Sequence, residues 1–175
     1  MFKIMFMKKY LINVIALFLV YNISNAQTTI PRAQSLFIYN FTRLIEWPQS
    51  YKTGDFVVGV LGNGQIYDEL SKTLSGKKVS TQNVNLVSYK DPNDIEKCHI
   101  LVVPFSQSSH IAAAISKLGN QGTLVITEKS GMLDNGAIIN FIIDGNALKF
   151  ELNKEAAIRR GLNINSTLEK MAVVN

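Results

Sequence analysis

Three features of the sequence predict an α/β fold: a single domain with a mixed, mainly parallel sheet flanked by helices and a C-terminal β-hairpin with helices. Residues 56–61 (FVVGVL), 99–104 (HILVVP) and 123–127 (TLVIT) are short apolar runs rich in β-branched residues, the signature of strands in a buried sheet. Helical spacing fills the intervals, with Ile66, Leu70 and Leu74 after the first run and residues 108–118 after the second, and strand-helix alternation argues for parallel pairing. The last third breaks that rhythm, because residues 137–143 and 147–152 flank Asp144-Gly145-Asn146, a hairpin signal. At 175 residues, with 47% apolar and 18% charged side chains, the chain suits one well-cored domain.

The N-terminal element is predicted to be a cleaved targeting segment, residues 1–26, leaving a domain over 27–175. Lys3, Lys8 and Lys9 precede an apolar run of 11 residues, 11–21, and Ser24-Asn25-Ala26 supplies the small residues of a cleavage site before Gln27. That run falls well short of the about 20 residues a bilayer span needs. The segment holds three of the 18 basic residues and none of the 13 acidic ones, so the remaining chain carries 15 against 13, a net charge of +2. No run of Lys and Arg exceeds two residues, which excludes a nucleic-acid partner. Export without a disulfide framework points to the periplasm of a bacterium.

The mature elements follow in order. Pro31 suits a first helical turn, and residues 32–47 place Ala33, Phe37, Phe41 and Leu44 on one stripe with Ile38 and Ile45 beside it. A largely buried helix is expected there, closing on Trp47 against the sheet and stopped by Pro48. After the strand at 56–61, the helix carrying Ile66 stops at Gly76. Residues 79–89 read as a strand with Val84, Leu86 and Ser88 on one face, and Asp91-Pro92-Asn93-Asp94 opens a helical turn. Gly119 closes the helix over 108–118. Asn153 suits the cap of a helix over 154–160 ended by Gly161, and Asn165 or Ser166 starts a last helix reaching Val174.

The reactive side chains are few. Cys98, His99 and His110 are the only Cys and His residues, one short of a closed zinc site, and a lone cysteine forms no intramolecular disulfide. No metal and no cofactor is expected. Gly62-Asn63-Gly64 stands where a strand meets a helix, the place for a phosphate on backbone N–H groups, yet the third glycine of a dinucleotide loop falls at Tyr67 and no P-loop lysine follows. It reads as a plain turn. Ser106, Ser108 and His110 follow a core strand without a G-x-S-x-G elbow, and Ser108 reads as a helix cap with His110 on the first turn. Glu151 and Glu155 read as surface carboxylates, and Cys98 as a small apolar filler. No residue is assigned as catalytic and no enzymatic activity is expected. Gly62, Gly64, Ser106 and His110 remain the candidates for a small-ligand crevice at the carboxyl ends of the parallel strands.

Residues 37–48, FIYNFTRLIEWP, resemble the opening motif of the YfiR family of small exported bacterial regulators, F-x-Y-N-F followed by W-P. Similar stretches follow in the same order: Val58-Gly59-Val60-Leu61-Gly62, Cys98-His99-Ile100-Leu101, Gly136-Ala137-Ile138-Ile139-Asn140-Phe141 and Phe150-Glu151-Leu152-Asn153. The resemblance implies a periplasmic, non-enzymatic homodimer that binds and restrains a membrane-bound signalling protein such as a diguanylate cyclase or sensor kinase, with effects on cyclic-di-GMP and biofilm. Disulfide-based switching within the chain, known in some relatives, does not carry over to a chain with Cys98 alone. Tyr39, Asn40, Phe41, Arg43, Glu46, Trp47 and Glu151 are the motif residues that become interaction candidates. Helical spacing makes Phe37, Phe41, Leu44 and Trp47 core instead, and places Arg43 and Glu46 where they would pair on the helix surface. Two functions stay open: a regulator of a membrane protein, and a periplasmic sensor or carrier of a small ligand.

Overall fold

The computed structural model describes residues 29–173, and the targeting segment expected over residues 1–26, with its cleavage site, lies outside them. Helix α1 (Ile30–Leu44) is followed by a two-residue strand β1 (Ile45–Glu46), strand β2 (Phe56–Leu61) and helix α2 (Gln65–Leu74). Strands β3 (Lys78–Val79), β4 (Gln82–Tyr89) and β5 (Ile100–Val103) lead to helix α3 (Ile111–Leu118). Then come β6 (Leu124–Thr127), the hairpin β7 (Ile139–Asp144) and β8 (Ala147–Leu152), helix α4 (Lys154–Arg159), β9 (Asn163–Ile164) and helix α5 (Ser166–Met171).

Seven strands form one sheet in the order β3-β4-β2-β5-β6-β7-β8. The neighbours from β4 to β7 run parallel, and the edge pairs β3 with β4 and β7 with β8 run antiparallel, so the mixed sheet read from the sequence is the one found. Period-2 alternation sorts the apolar runs into two cores. Val58, Val60, Ile100, Val102, Leu124 and Ile126 face one side with Ile38 and Phe41 of α1 and Leu70 of α2. Leu61, Leu101, Val103 and Val125 face the other, under Ile111, Ala114 and Leu118 of α3. Gly59 lies in β2 because Tyr89 folds over it: a Cβ there would stand 2.6 Å from the ring carbon Cε2 of Tyr89.

Helix α1 starts where Thr29 accepts the Arg32 N–H on its hydroxyl and Pro31 occupies the first turn. Its buried stripe is Gln34, Ser35, Ile38, Phe41 and Thr42, with Ala33, Phe37 and Leu44 only half-buried and Leu36 turned to solvent. The helix is therefore less buried, and rotated toward its polar residues, relative to the apolar stripe expected. Ser35 and Thr73 hydroxyls meet at 2.8 Å to join α1 to α2, and Phe41 packs edge-on to Phe150 with ring centroids 5.1 Å apart, seating α1 on the hairpin.

Several expected boundaries shift. Helix α1 ends at Leu44 rather than Trp47, because Ile45 turns extended (φ −124°, ψ 135°) and pairs antiparallel with Ile164, while Pro48 disfavours helix at Trp47. The strand expected over 79–89 is divided by a tight turn with Ser80 at φ 53°. Residues 105–110 form a 3-10 turn, so α3 begins at Ile111, and the Ser108 side chain makes no capping bond. Asn153 and Asn165 do cap α4 and α5, accepting from the Ala156 and Thr167 N–H groups at 2.8 Å each. Helix α5 stops at Met171, short of the Val174 expected. No helix among the described residues is long and apolar enough to cross a membrane.

Candidate functional site

The W-P end of the family-like motif forms an aromatic corner at the amino ends of β2 and β5. Trp47, only 6% exposed, donates its indole N–H to the His99 carbonyl at 3.1 Å and meets Phe56 edge-on at 5.0 Å. The His99 ring stacks on Phe56 with centroids 4.1 Å apart and meets Tyr51 edge-on at 5.1 Å. Its Nδ1 accepts the Val57 backbone N–H at 3.1 Å, which leaves the proton on Nε2 to be donated to the Tyr51 carbonyl at 2.7 Å. Both partners demand the neutral imidazole. Burial, with Lys97 nearby, lowers the His99 pKa below its ordinary value, although the Tyr51 carbonyl pulls the other way. In the sequence His99 stands at a strand start within a family-like stretch, and nothing in its one-dimensional context signals this double bond.

Around that corner the motif residues divide by face. Phe41 is fully buried, so of the interaction candidates Phe41 and Trp47 are core. Tyr39 is half-buried and Asn40 and Arg43 exposed on the outer face of α1. Arg43 donates to the Tyr39 hydroxyl at 2.9 Å with its guanidinium 4.9 Å from the ring centroid, and the Lys77 ammonium lies 5.8 Å from the same ring. The expected Arg43–Glu46 pair does not form: Glu46 lies in β1, facing Lys52 at 2.9 Å, and the hydrogen bond from Lys52 lowers its carboxyl pKa. Glu151 is not an ordinary surface carboxylate. Half-buried on β8, it accepts the Asn140 amide N–H at 2.8 Å, and Asn140 in turn accepts the Thr127 hydroxyl at 2.9 Å. Cys98 is the apolar filler expected, fully buried with its thiol pushed up to about 12 by burial.

At the opposite, carboxyl ends of β2 and β5 a crevice of about 400 Å³ opens, the position where open α/β sheets receive ligands. Gly62, Gly64 and Ser106 line it as expected; His110 does not, since the 3-10 turn carries it past the mouth to an exposed position. The glycine turn is tied down by the Ser88 hydroxyl, which donates to the Gly62 carbonyl at 2.7 Å, and by the Gly62 N–H on the Tyr89 carbonyl at 2.8 Å. Gly62 sits at φ 89°, a conformation that favours glycine, beneath the Gln107 side chain. The facing loop is fixed where the Phe105 N–H donates to Glu128 at 2.9 Å. Gln34 also lines the crevice and was not singled out from the sequence, because its place there depends on how α1 docks; Phe105 and Gln107 join it from the turn after β5. Among the described residues no group of three or more His, Cys, Asp or Glu side chains is placed to hold a metal ion.

A mixed, mainly parallel seven-stranded sheet flanked by helices, with an aromatic corner at one end of its central strands and a polar crevice at the other, defines the α/β class of this domain. The sequence matches the YfiR/HmsC-like family over residues 32–173, and the chain belongs to that family. Members of the family are periplasmic regulators. No curated protein matches the chain. Among solved structures it is similar to a conserved domain protein from Vibrio cholerae O1 biovar El Tor, with a TM-score of 0.59 and 13% identity over 83% of this chain and 60% of that one. It is also similar to the ABC domain from Streptococcus pneumonia solved in complex with L-Trp, with a TM-score of 0.53 and 14% identity over 81% of this chain and 59% of that one. The chain spans about three-fifths of the length of each, and at such identities the likeness is one of fold alone.

Proposed function

We propose that this protein is exported to the periplasm, forms a homodimer, and binds and restrains a membrane-bound signalling protein such as a diguanylate cyclase. The observation that carries this reading is the family match, which spans nearly the whole of the described domain. Lys3, Lys8, Lys9, the short apolar run and Ser24-Asn25-Ala26 support export with cleavage before Gln27. The outer face of α1 supplies a contact surface: Asn40 and Arg43 belong to the motif and stay exposed, and the half-buried Tyr39, one side of which packs against the core, has its ring flanked by Arg43 and Lys77, so an aromatic ring is set among cations. Such a face suits an acidic, partly apolar patch on the partner.

The test is a deletion strain together with capture of the tagged protein from solubilised membranes. Raised cyclic-di-GMP on deletion and co-purification of a membrane signalling protein are expected. Arg43→Glu should abolish capture while leaving the unfolding midpoint unchanged. Wild-type cyclic-di-GMP with no membrane signalling protein captured would refute the reading.

A further inference from the structure

The crevice at the carboxyl ends of β2 and β5 contains a side chain that the fold does not use. Gln34 on α1 is only 4% exposed and lines the crevice, and its carboxamide makes no hydrogen bond among the described residues. Among the described residues no side-chain polar atom is both sealed from solvent and unbonded, so the Gln34 amide opens onto the crevice rather than into the core. A buried amide normally has partners, and one held bare at the wall of a pocket is a recognition group. A second unsatisfied donor set lies beside it. Helix α2 starts at Gly64, which has no side chain to cap its first N–H groups, and Gln65 and Ile66 line the same space.

The lining decides the class of ligand. Gln34, Asn63, Gln65 and Gln107 each carry both a donor and an acceptor, and Ser106 adds a hydroxyl. No lysine, arginine or histidine lines the crevice among the described residues, and its one formal charge is the Glu128 carboxylate. A phosphate or carboxylate would meet no side-chain cation and would face Glu128. A cation would find one carboxylate, with an oxygen already taken by the Phe105 N–H. A neutral ligand with many hydroxyls satisfies both halves of every amide. Phe105 lines the same crevice and is 62% exposed, offering an aromatic face to the C–H side of a sugar ring. With no second aromatic ring in the lining among the described residues, a planar base has nothing there to sandwich it.

We infer that this crevice is a binding site for a neutral saccharide, whose hydroxyls pair with Gln34 and the neighbouring amides while its apolar face rests on Phe105. The site is independent of any protein partner, and binding is measured on the purified protein alone. Saturation-transfer NMR and calorimetry with D-glucose, D-galactose, D-mannose and N-acetyl-D-glucosamine should show saturable binding of at least one. Gln34→Leu, which keeps the volume and removes the amide, should weaken that sugar by about tenfold, equivalent to about 1.4 kcal/mol. Phe105→Ala, at an exposed position where folding is not at stake, should weaken it to a similar degree, whereas Arg159→Ala, outside the crevice, should leave affinity unchanged. The inference is overturned if no sugar saturates or if affinity ignores both crevice variants. Preferential binding of adenosine, inorganic phosphate or free amino acids over every sugar would also overturn it.

Discussion

Replacing Trp47 separates the two things this residue does. The side chain is 6% exposed, lies edge-on to Phe56 and donates to the His99 carbonyl, so truncation to alanine empties a large aromatic site in the core. That change should cost about 3 to 5 kcal/mol, a large part of the about 5 to 15 kcal/mol a domain has in all. Trp47→Phe keeps one six-membered aromatic ring and deletes the N–H together with the rest of the five-membered ring. The His99 carbonyl still accepts the Leu124 N–H at 2.8 Å, so no acceptor is orphaned. The expected cost is therefore that of one ordinary hydrogen bond, about 1 kcal/mol, together with a small void. Urea unfolding followed by far-ultraviolet circular dichroism, with equal m-values across the variants, measures both. An alanine variant of near wild-type stability, or a phenylalanine variant as damaged as the alanine one, would refute the assignment of Trp47 to packing.

Protonating His99 removes its acceptor and sets an N–H against the Val57 N–H, so its lowered pKa makes stability full above the unfolded value near 6.5 and progressively lost as pH falls below it. Urea midpoints should decline from about pH 6.5 downward, by up to about 1.4 kcal/mol per pH unit, and His99→Gln should flatten that slope before the carboxylates begin to titrate. Gly59→Ala drives a Cβ to 2.6 Å from the buried Tyr89 ring and should cost about 1 to 3 kcal/mol; combining it with Tyr89→Leu should give less than the sum of the two single effects. Cys98 is sealed and its thiol raised to about 12, so Ellman's reagent should react with it only after unfolding. Cys98→Ser should cost about 1 to 3 kcal/mol, and gel filtration of the proposed dimer should not change with dithiothreitol.

The parallel centre was legible because β2, β5 and β6 are apolar runs whose hydrophobic side chains each find one of two cores, and because Gly54 and Gly62 flank β2, Pro104 follows β5 and Gly122 precedes β6. The end of α1 was not. Residues 45–47 continue the helical periodicity, and only pairing with Ile164, over a hundred residues away in the chain, pulls Ile45 into a strand. Polar residues on the buried side of α1 were equally opaque: Ser35 is at home there because Thr73 meets it, and Gln34 because a crevice lies in front of it. His110 was placed at that crevice from its distance along the chain, but a 3-10 turn advances by about 2 Å per residue and rotates its side chains by a different angle than an α-helix, which takes the imidazole past the opening.

The distribution of the motif between inside and outside explains why family membership is easier to read than partnership. Phe41 and Trp47 are spent on the core, and Glu46 on a surface ion pair with Lys52. Such residues fix how α1 lies on the sheet and turns into β1, so a sequence that keeps them keeps the fold. Recognition needs side chains that packing leaves available, and α1 offers Tyr39, Asn40 and Arg43 on one flank and Gln34 on another. The first group faces outward beside Lys77, and Gln34 faces the crevice at the carboxyl ends of the strands. A single helix thus borders two different surfaces, and its packing in the core holds both in fixed relation to the sheet. If the proposed readings hold, replacements at the exposed Asn40 and Arg43 should alter what is bound at little cost to folding, whereas replacements at Phe41 or Trp47 should remove both surfaces together by unseating the helix.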